Sequence, residues 1–274
     1  MRIAVIAPGA MGAAVARRLH DRGATIAVTL DGRGAGSAAR AAGLTRFDTE
    51  AELAFWADAV LAILPPGEAL NLGRRLAPVL RPGVLYADCN AVSPQTVRDV
   101  AAALPTTRFV DAGIIGGPPG ATGPGPRFYA SGVHAHELNA LAGWGIDWRP
   151  ISGDIGAASA LKMSYAGITK GLTALGSAMV LGAEASGAAA ALHAELTASQ
   201  PELMRYFARS VPDMFDKAYR WVAEMEEISA FLGETPASGI HAAMARLYEE
   251  LALDRAAGTA EGPVAQLAAF FAPR

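Results

Sequence analysis

Up to about residue 150 the chain alternates short β-branched apolar runs with amphipathic, alanine-rich stretches, and beyond Pro150 the strand-like runs stop. Residues 3–7 read Ile-Ala-Val-Ile-Ala, Pro8-Gly9 closes the run, and residues 10–22 carry a helical period. Gly23 ends that helix and residues 25–30 supply a second buried strand, so a βαβ unit stands within the first 30 residues. Further strands are predicted at 59–64, 84–88, 109–114 and 128–131, with helices at 68–80 and 94–103. Near-continuous apolar strands mean that both faces of the sheet are covered, as in a doubly wound parallel sheet. After residue 150 helices are predicted at 156–187, 190–208, 214–232 and 237–256, and residues 258–274 are weakly specified. The expectation is an α/β domain over 1–153 and an all-α domain over 154–274, bridged by the long helix near 156–187.

A chain of 274 residues is long for one core and sufficient for two. With 52% apolar residues, 18% charged residues and a formal charge of −3, it fits neither an acidic tail protein nor a broadly basic nucleic-acid binder. A small polar substrate is the expected partner. Cys89 is the only cysteine, which excludes a disulfide framework and agrees with a cytoplasmic setting. The apolar N-terminus does not read as a signal peptide, because Pro8-Gly9 interrupts it and the helical pattern runs on through Arg17, Arg18 and His20. The longest uncharged helical stretch, 171–183, is shorter than the roughly 20 residues a bilayer requires. Of 23 cationic side chains only Lys162, Lys170 and Lys217 are lysine. A lysine kept in an arginine-rich chain is a candidate for chemistry that needs an amine able to lose its proton.

The first turn, Ala7-Pro8-Gly9-Ala10-Met11-Gly12, is a G-x-G-x-x-G pattern with alanine at its first position, set between a strand and a helix as the motif requires. Gly9 allows the backbone to approach a pyrophosphate, Ala10 and Met11 open the helix whose N–H groups face it, and Gly12 permits close packing on the strand. A Rossmann dinucleotide-binding domain is the reading. At the ribose end Asp31 and Arg33 offer opposite choices. The acid suits the 2′-hydroxyl of NAD and the arginine the 2′-phosphate of NADP, and the position of Arg33 past the strand end favours NADP(H). Asn90, after the fifth strand, is a further candidate cofactor contact, and Ser93 is a helix N-cap before Pro94. His134 and His136 have no third ligand near in sequence, so no metal site is expected.

Three further stretches carry a family likeness: Leu64-Pro65-Pro66, Asp111-Ala112-Gly113-Ile114-Ile115-Gly116-Gly117, and residues 156–166 around Lys162. In order and spacing they resemble the β-hydroxyacid dehydrogenases, a branch of the 6-phosphogluconate dehydrogenase-like superfamily. The resemblance covers most of residues 1–190. It implies that Lys162 is the catalytic acid/base, that Gly116 and Gly117 line the substrate with Ile115 beside them, and that Leu64, Pro65 and Pro66 lie against the nicotinamide half of the cofactor. It also implies a homodimer built through the helical domain. Ile115 stands where the family usually has serine, and Tyr165 and Ala166 stand where it has asparagines, which marks an atypical branch. Along the helix, residues 159, 162, 166 and 170 share one side, so Ser159 joins Lys162 at the expected substrate face and Tyr165 is adjacent as a second proton carrier. The expected function is NADP-dependent hydride transfer between nicotinamide and a small secondary alcohol or ketone. An NADPH-dependent imine reductase and a non-catalytic NADPH sensor are the alternatives, and neither nucleic acid nor membrane is an expected partner.

Overall fold

The computed structural model describes residues 1–6 and 8–272. Ala7, the alanine in the first position of the glycine turn, lies outside the described residues. The chain divides into two compact units, Met1–Met163 and Ser164–Arg274.

In the first unit the strands are β1 (Arg2–Ile6), β2 (Thr25–Thr29), β3 (Thr45–Phe47), β4 (Ala59–Ala62), β5 (Leu85–Asp88), β6 (Arg108–Ile115), β7 (Arg127–Ser131) and β8 (Asp147–Pro150). The helices between them are α1 (Ala10–Asp21), α2 (Ala35–Arg40), α3 (Glu50–Trp56), α4 (Ala69–Leu76) and α5 (Pro94–Ala103), with 3-10 segments at Pro66–Glu68 and Ala135–Trp144. The sheet order is β3-β2-β1-β4-β5-β6-β7-β8, the open order of a Rossmann-like domain extended at one edge. Alternate residues go to opposite faces: Ile3 and Val5 join Leu19 and Val110 in one core, while Ala4 and Ile6 join Leu72, Val100 and Phe109 in the other.

One pairing departs from the expected parallel sheet, since β7 runs antiparallel to β6 with Gly113 opposite Tyr129. The Gly- and Pro-rich loop 116–126 between them holds no helix, and a parallel return needs a crossover of a dozen residues or more. β3, β8, α2 and α3 were not among the predicted elements. β3 spans three residues, too few for a period, although the capping box at the start of α3 is written in sequence as Thr49 and Glu52. Among the described residues no helix is long and apolar enough to cross a membrane.

α6 (Ala157–Ala185) begins in the first unit and continues into the second, where α7 (Ala189–Ser199), α8 (Pro201–Met214), α9 (Ala218–Phe231), α10 (Pro236–Ala257) and α11 (Pro263–Phe270) follow. The helix predicted over 190–208 is broken at Gln200, which precedes Pro201 and is held out of the helical region at φ −134°, ψ 54°. Of the weakly specified tail over 258–274, the described part forms a further helix. Val264, Leu267 and Phe270 of α11 are buried, and Phe271 stacks edge-on against Phe270 at 4.8 Å between ring centres. Tyr206 and Tyr248 donate their hydroxyls to the carbonyls of Thr169 and Lys170 at 2.6 Å each, which fixes the second unit's part of α6 to α8 and α10.

Candidate active site

At the carboxyl end of β1, Gly9 occupies the N-cap of α1 with extended backbone, and no side chain caps the helix. No acidic residue stands in its first turn, and a Cβ built on Gly9 would meet nothing within 4 Å. The first N–H groups of α1 are therefore open to an outside acceptor, and the helix dipole favours an anion there. This is the fit a dinucleotide pyrophosphate needs. Ala10 is exposed at the head of the helix, Met11 packs on the core, and Gly12 is buried against it. The Arg40 Nε donates to the Pro8 carbonyl at 3.4 Å, holding the turn from the side of α2.

At the ribose end, the Asp31 N–H donates to Thr29 Oγ1 at 3.1 Å and Gly32 turns at φ 66°. Arg33 is half-buried, with its guanidinium 3.9 Å from Glu50. That carboxylate is already engaged by Arg75, which donates Nε and Nη2 to its two oxygens at 3.1 and 3.3 Å. Arg33 thus has a distant shared counter-ion and no hydrogen bond to it, and Asp31 forms no ion pair with it.

The turns after β4 and β5 are joined by one side chain. The Leu64 N–H donates to Asn90 Oδ1 at 2.7 Å, and the Asn90 N–H donates to Asp88 Oδ1 at 3.0 Å. Asn90, expected as a cofactor contact, is 3% exposed and acts first as this tie, while its Nδ2 has no partner among the described residues. Pro65 is exposed and Pro66 opens the 3-10 segment. Ser93 accepts from the Thr96 N–H at 3.2 Å and caps α5 before Pro94, as its sequence indicates.

Asp111, on β6, is fully buried and receives four hydrogens. Its Oδ2 accepts from Ser131 Oγ at 3.0 Å, the Gly156 N–H at 2.8 Å and the Ser159 N–H at 3.0 Å, and its Oδ1 accepts from Ser159 Oγ at 2.7 Å. Two of the donors are main-chain N–H groups at the start of α6, so the carboxylate holds that helix end to the sheet. Two residues along the same face of β6, Gly113 leaves room for the helix. An added Cβ there would lie 2.9 Å from both the Ala158 carbonyl oxygen and Lys162 Cβ. Ser159, expected at the substrate, is corrected by this geometry: it is 1% exposed and its hydroxyl is given to Asp111.

Lys162 stands one turn beyond this clamp. It is half-buried and has no hydrogen bond or ion pair among the described residues. The other two lysines are engaged, Lys170 with Glu224 and, at 5.0 Å, the Trp221 ring, and Lys217 with Asp213 at 2.5 Å. Tyr165 falls in the second unit and is 47% exposed. Ile115 is buried, whereas Gly116, at φ 125° against Pro126, and Gly117 are exposed. His134 faces Glu137, and among the described residues no group of three His, Cys, Asp or Glu side chains could hold a metal.

Asp88 lies beside Asp111 in the register of β5 and β6 but lacks its donors, and Oδ2 has no partner among the described residues. Burial, reinforced by the Asp111 charge and opposed by the hydrogen bond from the Asn90 N–H, pushes its carboxyl up to about 7. The same burial and the two carboxylates push the Cys89 thiol well up. Between the ordinary carboxylate range and about pH 7 the folded protein holds a proton on Asp88 that the unfolded chain releases. Stability from this group is therefore lost as pH rises through that window, by at most about 1.4 kcal/mol per pH unit. Asp88→Asn keeps the shape and removes the titration. Thermal unfolding should show the variant to be the more stable at pH 8, with a flatter dependence between pH 5 and 8. Parallel pH profiles would contradict this.

Comparison with known proteins gives this geometry a context. Residues 2–138 match the family model described as the NAD binding domain of 6-phosphogluconate dehydrogenase, and residues 183–251 match a domain of unknown function (DUF1932). A curated relative from Methanothermus fervidus, an uncharacterized 28.5 kDa protein in the 7S RNA 5′ region, is 30% identical over 118 residues. That match spans 43% of this chain and 45% of the relative, less than half the relative's length. A solved conserved protein of unknown function, described as structurally similar to 3-hydroxyacid dehydrogenases, has a TM-score of 0.73 at 27% identity over 94% of this chain and 100% of that one. Mycobacterium tuberculosis 3-hydroxyisobutyrate dehydrogenase, solved with L-serine, has a TM-score of 0.74 at 20% identity over 99% and 100% of the two chains, a likeness of fold. The uncapped helix behind the Gly9 turn is what an NAD(P)-binding domain presents to its ligand, and by the match over half its length the chain belongs to the 6-phosphogluconate dehydrogenase NAD-binding family.

Proposed function

We propose that the protein is an NADP-dependent oxidoreductase that moves a hydride between nicotinamide and a small secondary alcohol or ketone of the hydroxy-acid type. Lys162 is its general acid and base. The observation that carries this reading is the Lys162 amine, half-buried and without a partner among the described residues, on the turn of α6 next to the Asp111 clamp. When bound, the cofactor supplies or accepts the hydride. Gly9, Ala10, Met11 and Gly12 would hold its pyrophosphate, Arg33 its 2′-phosphate, and Leu64, Pro65, Pro66 and Asn90 its nicotinamide half. Gly116 and Gly117 would line the substrate, with Ile115 beside them. Lys162 Nζ holds the proton that passes to or from the substrate oxygen, and the Tyr165 hydroxyl is the second candidate for that proton.

Turnover of NADPH with 2- and 3-keto acids, aryl ketones and cyclic imines tests the reaction. Activity on ketones with none on imines is expected. Activity on imines alone transfers the assignment to imine reduction, and NADPH binding without any turnover transfers it to a sensor. On an accepted ketone, Lys162→Ala should lower kcat by ~100- to 10,000-fold with little change in NADPH affinity. Lys162→Arg should be nearly as damaging, because arginine keeps the charge and retains its proton. An active Lys162→Arg variant would move the proton transfer to Tyr165 or another group.

The NADP preference rests on the lack of any hydrogen bond between Arg33 and a carboxylate. Fluorescence titration should give tighter binding of NADPH than NADH, and Arg33→Ala should remove most of the difference, a charge-assisted contact of ~1.5 to 3 kcal/mol. Equal affinities in the parent would refute it.

Tyr165, Ile168, Leu175 and Met179 project from one side of α6 and are 47%, 71%, 51% and 60% exposed. A second copy of the chain is the partner proposed for this apolar stripe. Light scattering at micromolar concentration should give twice the 28.2 kDa chain mass, and a mass near one chain would rule the dimer out.

A further inference from the structure

A cavity of about 320 Å³ runs along α1 between the end of α2 and the loop that follows Gly117. Arg17, Arg18 and Arg22 line it from α1 and its C-cap, Arg40 from α2, and Gly120 from the loop. The one acid on its wall is Asp21, whose Oδ1 is 3.0 Å from His20 Nδ1. Among the described residues none of the four arginines has an ion pair, and the contacts that hold them are neutral. Arg17 donates to the Ala42 carbonyl, Arg18 to the carbonyls of Gly120 and Gly123 at 2.8 and 3.0 Å, and Arg40 to the Pro8 carbonyl and Ser37 Oγ at 3.4 and 3.1 Å.

Such acceptors satisfy N–H groups and leave the positive charges uncompensated. Other arginines of the chain meet carboxylates: Arg2 with Asp58, Arg75 with Glu50, Arg108 with Glu137 and Arg149 with Asp147. The cluster also stands against the chain's overall charge of −3, so it is not part of a general basicity. Arg18 is only 8% exposed, which places a guanidinium in the wall where water screens it least. Four like charges around a small volume raise the local potential, and a multivalent anion relieves it. Guanidinium forks match the oxygens of phosphate two at a time. The cavity is of the size that takes a small ligand. Ala10, at the head of α1, lines it, whereas Gly9, Asp31 and Arg33 do not.

We propose that this cavity is a binding site for a small phosphate anion of the diphosphate class, additional to the dinucleotide site. The occupant gathers the guanidiniums that hold two separate turns, Arg40 at Pro8 and Arg18 at Gly120 and Gly123, so its binding tightens both.

Calorimetric titration of the full chain with pyrophosphate at low ionic strength tests the site, alone and with saturating NADPH. One pyrophosphate per chain is expected, bound with or without NADPH and more weakly as salt rises. Arg17→Gln and Arg22→Gln should each weaken it at least ~10-fold at unchanged melting temperature, the loss of one charge-assisted contact. Arg22 is exposed, so that variant is the safeguard should Arg17→Gln fold poorly. No binding at millimolar pyrophosphate, or undiminished binding by the variants, overturns the proposal. So does loss of pyrophosphate binding at saturating NADPH, which would assign these arginines to the dinucleotide.

Discussion

The Asp111 carboxylate is the contact on which the arrangement of the candidate site depends. A carboxylate buried in a central strand is costly unless hydrogen bonds replace its water, and here four donors do so. Two are N–H groups that a helix start would otherwise leave without partners. The same contact therefore answers two needs, the buried charge and the open end of α6. It also sets where the next turn of α6 stands, and Lys162 is on that turn. Gly113 completes the fit, because any side chain at that point of β6 would collide with the helix.

Asp88 shows what the same burial does without donors. The two carboxylates are paired across β5 and β6, yet the helix start supplies hydrogens to Asp111 only. Asp88 is left with one main-chain donor and one orphan oxygen, and its carboxyl moves up to about 7. Asn90 gains from this neighbourhood, since its main chain is held at Asp88 while its amide oxygen takes the Leu64 N–H. The ends of β4 and β5 thereby act as one rigid rim at the carboxyl edge of the sheet, the edge at which ligands of open α/β sheets bind.

The cation usage of the chain gains meaning from the packing. Arginines serve as the structural cations, with forks that bracket carboxylates at Glu50 and Asp147 or gather carbonyls at Gly120 and Gly123. Two lysines are tied to acids, and Lys162 alone of the three has no such partner among the described residues. A residue type that is rare in a chain carries information only when its surroundings are known. By rarity alone the three lysines are equivalent, and in sequence only the family-like helix motif sets Lys162 apart.

The sequence by itself determined the elements whose signals are local. The glycine turn at the head of α1, the alternation of buried strands with helices, the change to an all-helical second half and the Ser93 cap are each written within a few adjacent residues, and each is present. Tertiary structure decided the features that join distant segments. β3 is too short to show a period and exists because β2 pairs with it, and the direction of β7 follows from a loop that cannot cross the sheet. The donors to Asp111 lie 20, 45 and 48 residues away, so Ser159 read from its helix face as a substrate contact when its hydroxyl belongs to the core. The arginine cavity is hidden for the same reason, its wall being drawn from α1, α2 and the loop beyond Gly117. Periodicity reports which side of one element is apolar, and only folding reports which buried polar groups of different elements find one another.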